Sequence, residues 1–255
     1  KDVEARFPSI FQRCRELGLE PLKEVIPVAP SAHYWMGGVA TNLKAQTNIK
    51  GLFAIGEVAC TGLHGANRLA SNSLMECLVF ANQMRDIELN DFKDSEISEN
   101  NLSFIKSNLR FTKDKGTKYL TKEIEKLRQL CWREAGVDRS RKGMTSALAK
   151  VKRDYQNLVK EPLLKLVFSQ SKYAINEFEE FSRRDLNLLL DLSNRQMSSL
   201  LMLEACLFRE ESRGGHFRDD FPNSVPFWKC HTRQIKGQNI HTRPIGDKAE
   251  FLKNL

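Results

Sequence analysis

The residues best suited to chemistry lie in one loop, between Ile55 and Ser73. It carries an acid, a histidine and an arginine, Glu57, His64 and Arg68, spaced by glycines. Glycines let backbone N–H groups approach a ligand, an acid after a strand can accept hydrogen bonds from ribose, and arginine offers a fork of donors to a carboxylate. The loop therefore indicates a site for an anionic ligand beside a nucleotide cofactor. A surface loop without a binding role explains the same residues equally well.

The elements on either side of this loop are those of an α/β protein. The apolar run 52–55, LFAI, lies between two glycines and predicts a strand that is buried on both faces. After the loop, Ser73 and Glu76 have the spacing of a capping box, which predicts that a helix begins there. A strand, a loop and a helix N-terminus form the arrangement in which α/β proteins hold phosphates and cofactors.

A further candidate lies upstream of the loop. His33 precedes the pair Gly37-Gly38, which predicts a turn into a strand. The spacing alone does not place His33 near Arg68. The sequence therefore leaves a structural role and a catalytic role open for His33.

The second half of the chain is predicted to be helical. The opening residues 1–17 also indicate a helix, and the polar segment 89–116 indicates a linker. A third long helix is expected to run from a cap at Ser182 to Gly214, and Gly136 occupies a C-terminal cap position. Two apolar stripes with helical spacing lie between the linker and Ser182: Leu120, Ile124, Leu127 and Cys131, then Met144, Leu148, Val151, Tyr155 and Leu158. These stripes predict a small antiparallel bundle, followed from Phe217 by an irregular basic tail that includes His231, Arg233, His241 and Arg243.

Composition excludes several classes of protein. Of 255 residues, 41% are hydrophobic and 28% are charged, which is typical of a globular chain and not of a disordered one. No apolar run approaches the ~18 residues that a membrane span needs. The net charge is +8, but bases alternate with acids, so the pattern does not favour a nucleic-acid partner. The six cysteines have no metal-ligand spacing, which predicts no metal site and reduced thiols.

Three ordered motifs resemble those of a known family. They read AHYWMGGV at 32–39, GLFAIGE and HGANR within 51–68, and ESRGGHFRDDFP at 211–222. These runs are similar to the flavoproteins that comprise succinate dehydrogenases, fumarate reductases and L-aspartate oxidases. Within that family, TGLHG at 61–65 and RLASNSL at 68–74 resemble the aspartate oxidases more than the dehydrogenases.

This resemblance implies an activity and a set of site residues. The activity is the FAD-dependent oxidation of L-aspartate to iminoaspartate, on the route to quinolinate and NAD. His33 and Arg68 match the residues that bind substrate carboxylates, Glu57 matches the acid that binds the FAD ribose, and Ser73 and Leu74 match backbone contacts to the flavin. The resemblance also implies oxygen or fumarate as electron acceptor, a functional link to quinolinate synthase, and a cytoplasmic enzyme without a metal.

The expected fold is α/β plus α, with the closing part of a Rossmann-like FAD-binding domain followed by a C-terminal antiparallel helical bundle. Residues 1–28 are expected to end a capping domain, 29–88 to close the FAD-binding domain, 89–116 to form a linker, and 117–255 to form the helical domain and its tail. The sequence has no G-x-G-x-x-G fingerprint and begins with Lys. We therefore expect the chain to be the C-terminal part of the enzyme and inactive alone.

Two other functions remain open from the sequence. A fumarate reductase or succinate dehydrogenase flavoprotein subunit would carry closely related motifs. A basic helical-bundle binding module without catalysis would need only the second half of the chain. For the motif at 211–222, we expect a structural role in which Arg213, His216 and Arg218 cap helix carbonyls and the motif supports the bundle against the flavin domain.

Overall fold

The structure is a computed structural model that describes residues 2–31, 33–85, 87, 115–161, 164 and 183–245. The chain forms two compact units, Lys1–His33 and Tyr34–Leu255. Most of the predicted linker at 89–116 and the predicted cap at Ser182 lie outside the described residues. No helix in the described part of the chain is long and apolar enough to cross a membrane.

The first unit contains two short helices where the sequence indicated one. Helix α1 spans Asp2–Arg6 and helix α2 spans Pro8–Glu16. The break falls at Pro8, because proline has no N–H to continue the preceding helix but fits the first position of a new one. Within α2, Phe11 and Cys14 are buried. After Glu16 the described residues of this unit form no further helix or strand.

The second unit begins with two short parallel strands that hold the loop of interest. Strand β1, Val39–Ala40, pairs in parallel with strand β2, Ala59–Cys60. A Cβ on Gly38 would lie 2.3 Å from the carbonyl oxygen of Val58, so only glycine allows this approach. A 3-10 turn at Gly56–Val58 precedes β2, and helix α3 spans Asn72–Met84.

The predicted buried strand at 52–55 is wrong. Only Phe53 makes a β-bridge, to Gln46, and Leu52 is exposed. The run instead closes a turn, since the N–H of Thr47 donates to Leu52 O and the N–H of Ala54 donates to Ala45 O. An apolar run between glycines does not distinguish a central strand from this extended arm of a turn.

Three helices pack around the main core, as the stripes predicted. Helix α4 spans Lys115–Ala135, α5 spans Arg141–Leu158, and α6 spans Arg183–Phe208. Their shared core is apolar, and its buried members include Leu120, Leu127, Met144, Val151, Leu158, Leu189 and Leu203. Gly136 follows the end of α4, as expected from the sequence.

Hydrogen bonds between the helices give their directions. Thr117 bonds Asp185 near the start of both α4 and α6, and Cys131 bonds Ser199 further along both, so these two helices are parallel. Arg141 at the start of α5 pairs with Glu210 just beyond the end of α6, so α5 runs the opposite way. The described helices therefore form the up-down-up arrangement of a small antiparallel bundle.

The end of the bundle differs from the prediction in two respects. Helix α6 ends at Phe208, several residues before Gly214. The predicted irregular basic tail contains a hairpin, in which strand β3, Cys230–Arg233, pairs antiparallel with strand β4, His241–Pro244. His231 and Arg233 are half-buried in this hairpin, and burial lowers the pKa of both groups.

Candidate functional site

Arg68 lies at the point where the loop meets helix α3. Its Nη1 donates a hydrogen bond to Ser73 Oγ over 2.8 Å, and its guanidinium carbon lies 5.5 Å from the centre of the Tyr34 ring. The side chain is half-buried. Arg68 is thereby fixed between the first turn of α3 and an aromatic face, a geometry that favours the planar guanidinium.

The predicted capping box is wrong. The helix begins at Asn72, and its N-cap is Ser71, which has a φ of 67° and makes no side-chain capping bond. Ser73 lies inside the first turn, where its hydroxyl accepts from Arg68, and Glu76 turns into the interior. The helix N-terminus is therefore open to solvent or to a ligand, because the first N–H groups of a helix have no partner within it.

Glu76 is the centre of a buried hydrogen-bond cluster that sequence reasoning missed. The residue is 3% exposed. Its carboxylate accepts from the Tyr34 hydroxyl over 3.1 Å, from the Thr61 hydroxyl, and from His64 Nε2 over 2.9 Å. An acid on the apolar side of a predicted helix is a signal that a buried partner set is needed, but the spacing does not say which residues supply it.

His64 and Tyr34 pack against each other inside this cluster. Their rings meet edge to face, with centres 4.8 Å apart and planes at 71°. Burial, together with the hydrogen bond and charge of Glu76, raises the pKa of Tyr34 to about 12. His64 Nδ1 is buried without a hydrogen-bond partner among the residues the structure describes.

Glu57 lies on the surface, in the 3-10 turn that falls between the two parallel strands in sequence. Its Oε1 accepts from the N–H of Trp35 over 2.8 Å, which fixes the carboxylate. Its Oε2 has no hydrogen-bond partner in the described part of the chain.

The other proposed site residues fall in two places. Ser73 and Leu74 lie in the first turn of α3, close in sequence to Arg68, and Leu74 is 68% exposed. His33 is exposed and is the last residue of the first unit, whereas Arg68 belongs to the second. A joint role of His33 and Arg68 stays a prediction.

The motif at 211–222 contacts both the bundle and the loop. Arg218 is fully buried, and its Nη1 donates to the carbonyls of Cys206, Leu207 and Arg209 at the end of α6, which confirms its predicted capping role. Gly215 N–H donates over 3.2 Å to the carbonyl oxygen of Ala66, two residues before Arg68. The motif thus contacts the loop, and its support of the bundle against a flavin domain stays a prediction.

Arg213 and His216 do not share the predicted capping role equally. The guanidinium of Arg213 binds the buried Glu211 carboxylate and Val225 O rather than carbonyls of α6. His216 Nε2 lies 3.5 Å from Arg209 O, and its Nδ1 lies 2.8 Å from Arg139 Nη1. The prediction of capping was therefore wrong for Arg213, because a fully buried carboxylate competes for its donors.

Two known protein families match this chain, one in its first part and one in its second part. The FAD binding domain family matches residues 1–74, and the fumarate reductase flavoprotein C-terminal family matches residues 124–249. The L-aspartate oxidase of Synechocystis is 40% identical over 250 residues, covering 95% of this chain and 43% of that protein. The chloroplastic L-aspartate oxidase of Oryza sativa is 35% identical, covering 86% of this chain and 33% of that protein.

Solved structures show the same relationship. A quinol-fumarate reductase with menaquinol molecules matches with a TM-score of 0.69 at 26% identity, covering 94% of this chain and 42% of that chain. An E. coli quinol fumarate reductase matches with a TM-score of 0.67 at 25% identity, covering 94% and 41%. The chain thus spans about two fifths of the length of several of these relatives. The chain belongs to the flavoprotein family of L-aspartate oxidases, fumarate reductases and succinate dehydrogenases.

Proposed function

We propose that the enzyme containing this chain oxidises L-aspartate to iminoaspartate with FAD, the first step from aspartate toward quinolinate in NAD biosynthesis. The observation that carries the proposal is the placement of Arg68 at the open N-terminus of α3, against Ser73 and Tyr34. This placement occurs in a chain 40% identical to a curated L-aspartate oxidase.

The domain arrangement belongs to the same proposal. Residues 1–28 end a capping domain, 29–88 close the Rossmann-like FAD-binding domain, 89–116 link the two parts, and 117–255 form the helical domain. The two family matches, at 1–74 and 124–249, support a division between an FAD-binding part and a helical part. The parallel pair β1–β2 and the helix that follows it agree with an α/β cofactor domain.

The residues near the loop fit FAD. Glu57 offers one unengaged carboxylate oxygen to ribose hydroxyls, and Ser73 and Leu74 offer backbone N–H groups in the uncapped first turn of α3. The partial positive charge at that helix end stabilises negative charge on a bound ring. When bound, FAD accepts the hydride from substrate carbon, and the protein supplies binding, orientation and electrostatics.

Arg68 and His33 bind the substrate carboxylates. Aspartate carries two carboxylates, and removing them from water is costly unless charged donors replace the lost hydrogen bonds. Among the described residues, the guanidinium of Arg68 donates a hydrogen bond only to Ser73. Its remaining N–H groups are therefore available to substrate. His33 supplies a second, exposed donor.

The related alternative is a fumarate reductase or succinate dehydrogenase flavoprotein subunit. The structural matches to quinol-fumarate reductases support it. The curated matches, which are L-aspartate oxidases at 32–40% identity, favour aspartate. Oxygen or fumarate as acceptor, a link to quinolinate synthase and a cytoplasmic location belong to the aspartate proposal.

The test is turnover by the purified, FAD-loaded enzyme. L-Aspartate is supplied as reductant with oxygen or fumarate as acceptor, and the oxaloacetate that forms from iminoaspartate is measured. Succinate is supplied with oxygen or a redox dye as acceptor, and fumarate is measured, because succinate and fumarate together give no net reaction. We expect oxidation of aspartate and little oxidation of succinate. Oxidation of succinate without oxidation of aspartate would establish the alternative, and a flavin that neither substrate reduces would contradict both.

A further inference from the structure

We propose that the buried Glu76 carboxylate positions the substrate-binding guanidinium of Arg68, acting through Tyr34 and His64. The inference rests on the proposed role of Arg68 in binding a substrate carboxylate. Among the described residues, the Glu76 carboxylate makes no hydrogen bond to Arg68; its partners are Tyr34, Thr61 and His64. It is a positioning residue, and Tyr34 is the group that transmits its effect.

The first step of the argument is the direction of the hydrogen bonds. Hydroxyls of Tyr34 and Thr61 and the Nε2 of His64 converge on one carboxylate that is 3% exposed. An ionised carboxylate has only acceptors, so all three groups must donate to it. Because its pKa is about 12, Tyr34 keeps its proton and donates throughout the neutral range.

The second step is what these bonds join. Tyr34 precedes strand β1, Thr61 and His64 lie in the loop after strand β2, and Glu76 lies on helix α3. These segments carry the residues around Arg68, including Tyr34 and Ser73, which contact it directly. Removing the carboxylate would release a tyrosine, a threonine and a histidine at once.

The third step concerns the orientation of Tyr34. Its φ is 71°, which is unfavourable for a residue with a bulky side chain and persists only where surrounding contacts impose it. Two contacts fix its ring, namely the hydroxyl bond to Glu76 and the edge-to-face packing of His64. His64 is itself fixed by Glu76 over 2.9 Å. One carboxylate therefore sets the ring plane from two sides.

The last step is the contact with Arg68. The guanidinium carbon lies 5.5 Å from the centre of the Tyr34 ring, within the range of a cation–π interaction. Arg68 is otherwise fixed by a single side-chain bond to Ser73. A ring that tilts or moves would free the guanidinium to turn, and a bidentate fork would lose its fixed direction toward a carboxylate.

A double-mutant cycle with Tyr34→Phe, Glu76→Gln and the double variant tests the inference. The readouts are FAD content, kcat and KM for aspartate, and the Kd for succinate from its perturbation of the flavin spectrum. Each single change is expected to raise KM and Kd by about 5- to 10-fold, a size set by a weakened cation–π contact, while kcat changes less than about 3-fold. The double variant should be no worse than the more affected single variant, since both changes break the same bond.

Thr117→Val is the matched control. It removes a hydroxyl donor to the buried Asp185 carboxylate in the bundle, far in sequence from the loop. It should leave KM and Kd unchanged, which separates a positioning effect from a general loss of a buried hydrogen bond. If Glu76→Gln does not fold, Tyr34→Phe keeps the ring and removes only the hydroxyl, and its KM decides the question.

Two outcomes would overturn the inference and leave the proposed function intact. One is an unchanged KM and Kd in Tyr34→Phe in an enzyme that oxidises aspartate. The other is full additivity of the two single effects in the double variant. A wild-type enzyme that bound neither aspartate nor succinate would overturn the proposed function, and this inference with it.

Discussion

Arg68 shows how one side chain combines fixed and available donors. Nη1 is engaged by Ser73, and the Tyr34 face limits rotation of the guanidinium plane. The other N–H groups face no acceptor among the described residues. This arrangement is expected for bidentate recognition of a carboxylate. Substitution of Arg68 by lysine, which is also a cation, tests whether the guanidinium itself is required.

We expect Arg68→Lys to lose most of its catalytic efficiency. Lysine keeps the charge but has no planar fork, and it cannot bond Ser73 and a carboxylate in the same geometry. The loss in kcat/KM should be at least ~2 kcal/mol, as for removal of one partner from a buried charge pair. Steady-state kinetics measures it, with Arg128→Lys on the exposed side of α4 as control. Wild-type kcat/KM in the Arg68→Lys enzyme would exclude the role.

Glu57→Gln should weaken FAD binding more than it slows the bound enzyme. The amide keeps one acceptor for the Trp35 N–H but binds ribose hydroxyls less strongly than a carboxylate does. FAD affinity and kcat at saturating FAD are measured side by side, with Glu125→Gln on α4 as a surface control. A large loss of kcat at unchanged affinity would contradict a ribose-binding role.

Among single residues, the sequence indicated the candidate site residues of the loop but not the contacts that support them. Glycine spacing and residue type were enough to single out Glu57 and Arg68. The capping box failed because Ser73 had a competing partner, the Arg68 guanidinium, which no local pattern indicates. The Glu76 cluster joins residues up to 42 positions apart, and only the folded chain brings these together.

The elements differ in how far their own sequences determine them. The stripes of α4 and α5 were predicted well, because a helix shows its buried face at every third or fourth position. The run at 52–55 has no periodicity of its own, and its partners decide whether it is a strand. The hairpin β3–β4 was missed because its strands are polar and only partly buried.

The contact between the motif at 211–222 and the loop depends on Gly214. Its φ is +58°, and a Cβ would lie 2.1 Å from Ala66 O, which is backbone that cannot move without moving the loop. We expect Gly214→Ala to destabilise the protein by about 2–3 kcal/mol and to raise KM for aspartate, since Ala66 lies two residues before Arg68. Thermal unfolding and steady-state kinetics measure the two effects.

Gly237→Ala is the matched control for this prediction. Its φ is +80°, but nothing lies within 4 Å of the added Cβ, so it carries the backbone strain without the clash. It should cost only about 1 kcal/mol and leave KM unchanged. Equal effects of the two substitutions on KM would show that the contact with the loop has no influence on the site.

Across the second unit, the tail residues connect the bundle to the loop. The motif contacts Ala66, while a Cβ on Gly62 would lie 3.7 Å from His231 in the hairpin. Buried charges support this connection, because Glu211 accepts from Arg209, Arg213 and the Val225 N–H. Although burial raises the pKa of Glu211, these bonds lower it overall, to about 2. Loss of charge in this network should therefore affect the fold and the site together.

His216 makes this part of the molecule sensitive to acid. Burial first, and then the positive charge of Arg139, lowers its pKa to about 4 from a usual value of 6.5. Between these two pH values the unfolded chain binds a proton that the folded protein does not, so stability falls as the pH falls from 6.5 to 4. At about 1.4 kcal/mol per pH unit, the contribution of this group is at most about 3 kcal/mol. Half-buried His231 adds to it in the same direction, and Glu211 extends the loss below pH 4.5.

We expect His216→Gln to reduce this acid sensitivity without abolishing it. Glutamine can bond Arg139 through its carbonyl oxygen but takes up no proton, so the slope of stability against pH between 6.5 and 4 should decrease. The free energy of unfolding is measured by denaturant titration with circular dichroism at a series of pH values. Above pH 7 the two proteins should have parallel profiles, because His216 is neutral in both the folded and the unfolded state there. If His216→Gln had the same slope of stability against pH as the wild type, protonation of His216 would not cause the loss of stability in acid. Other groups would then offset the positive charge of the arginines around His216.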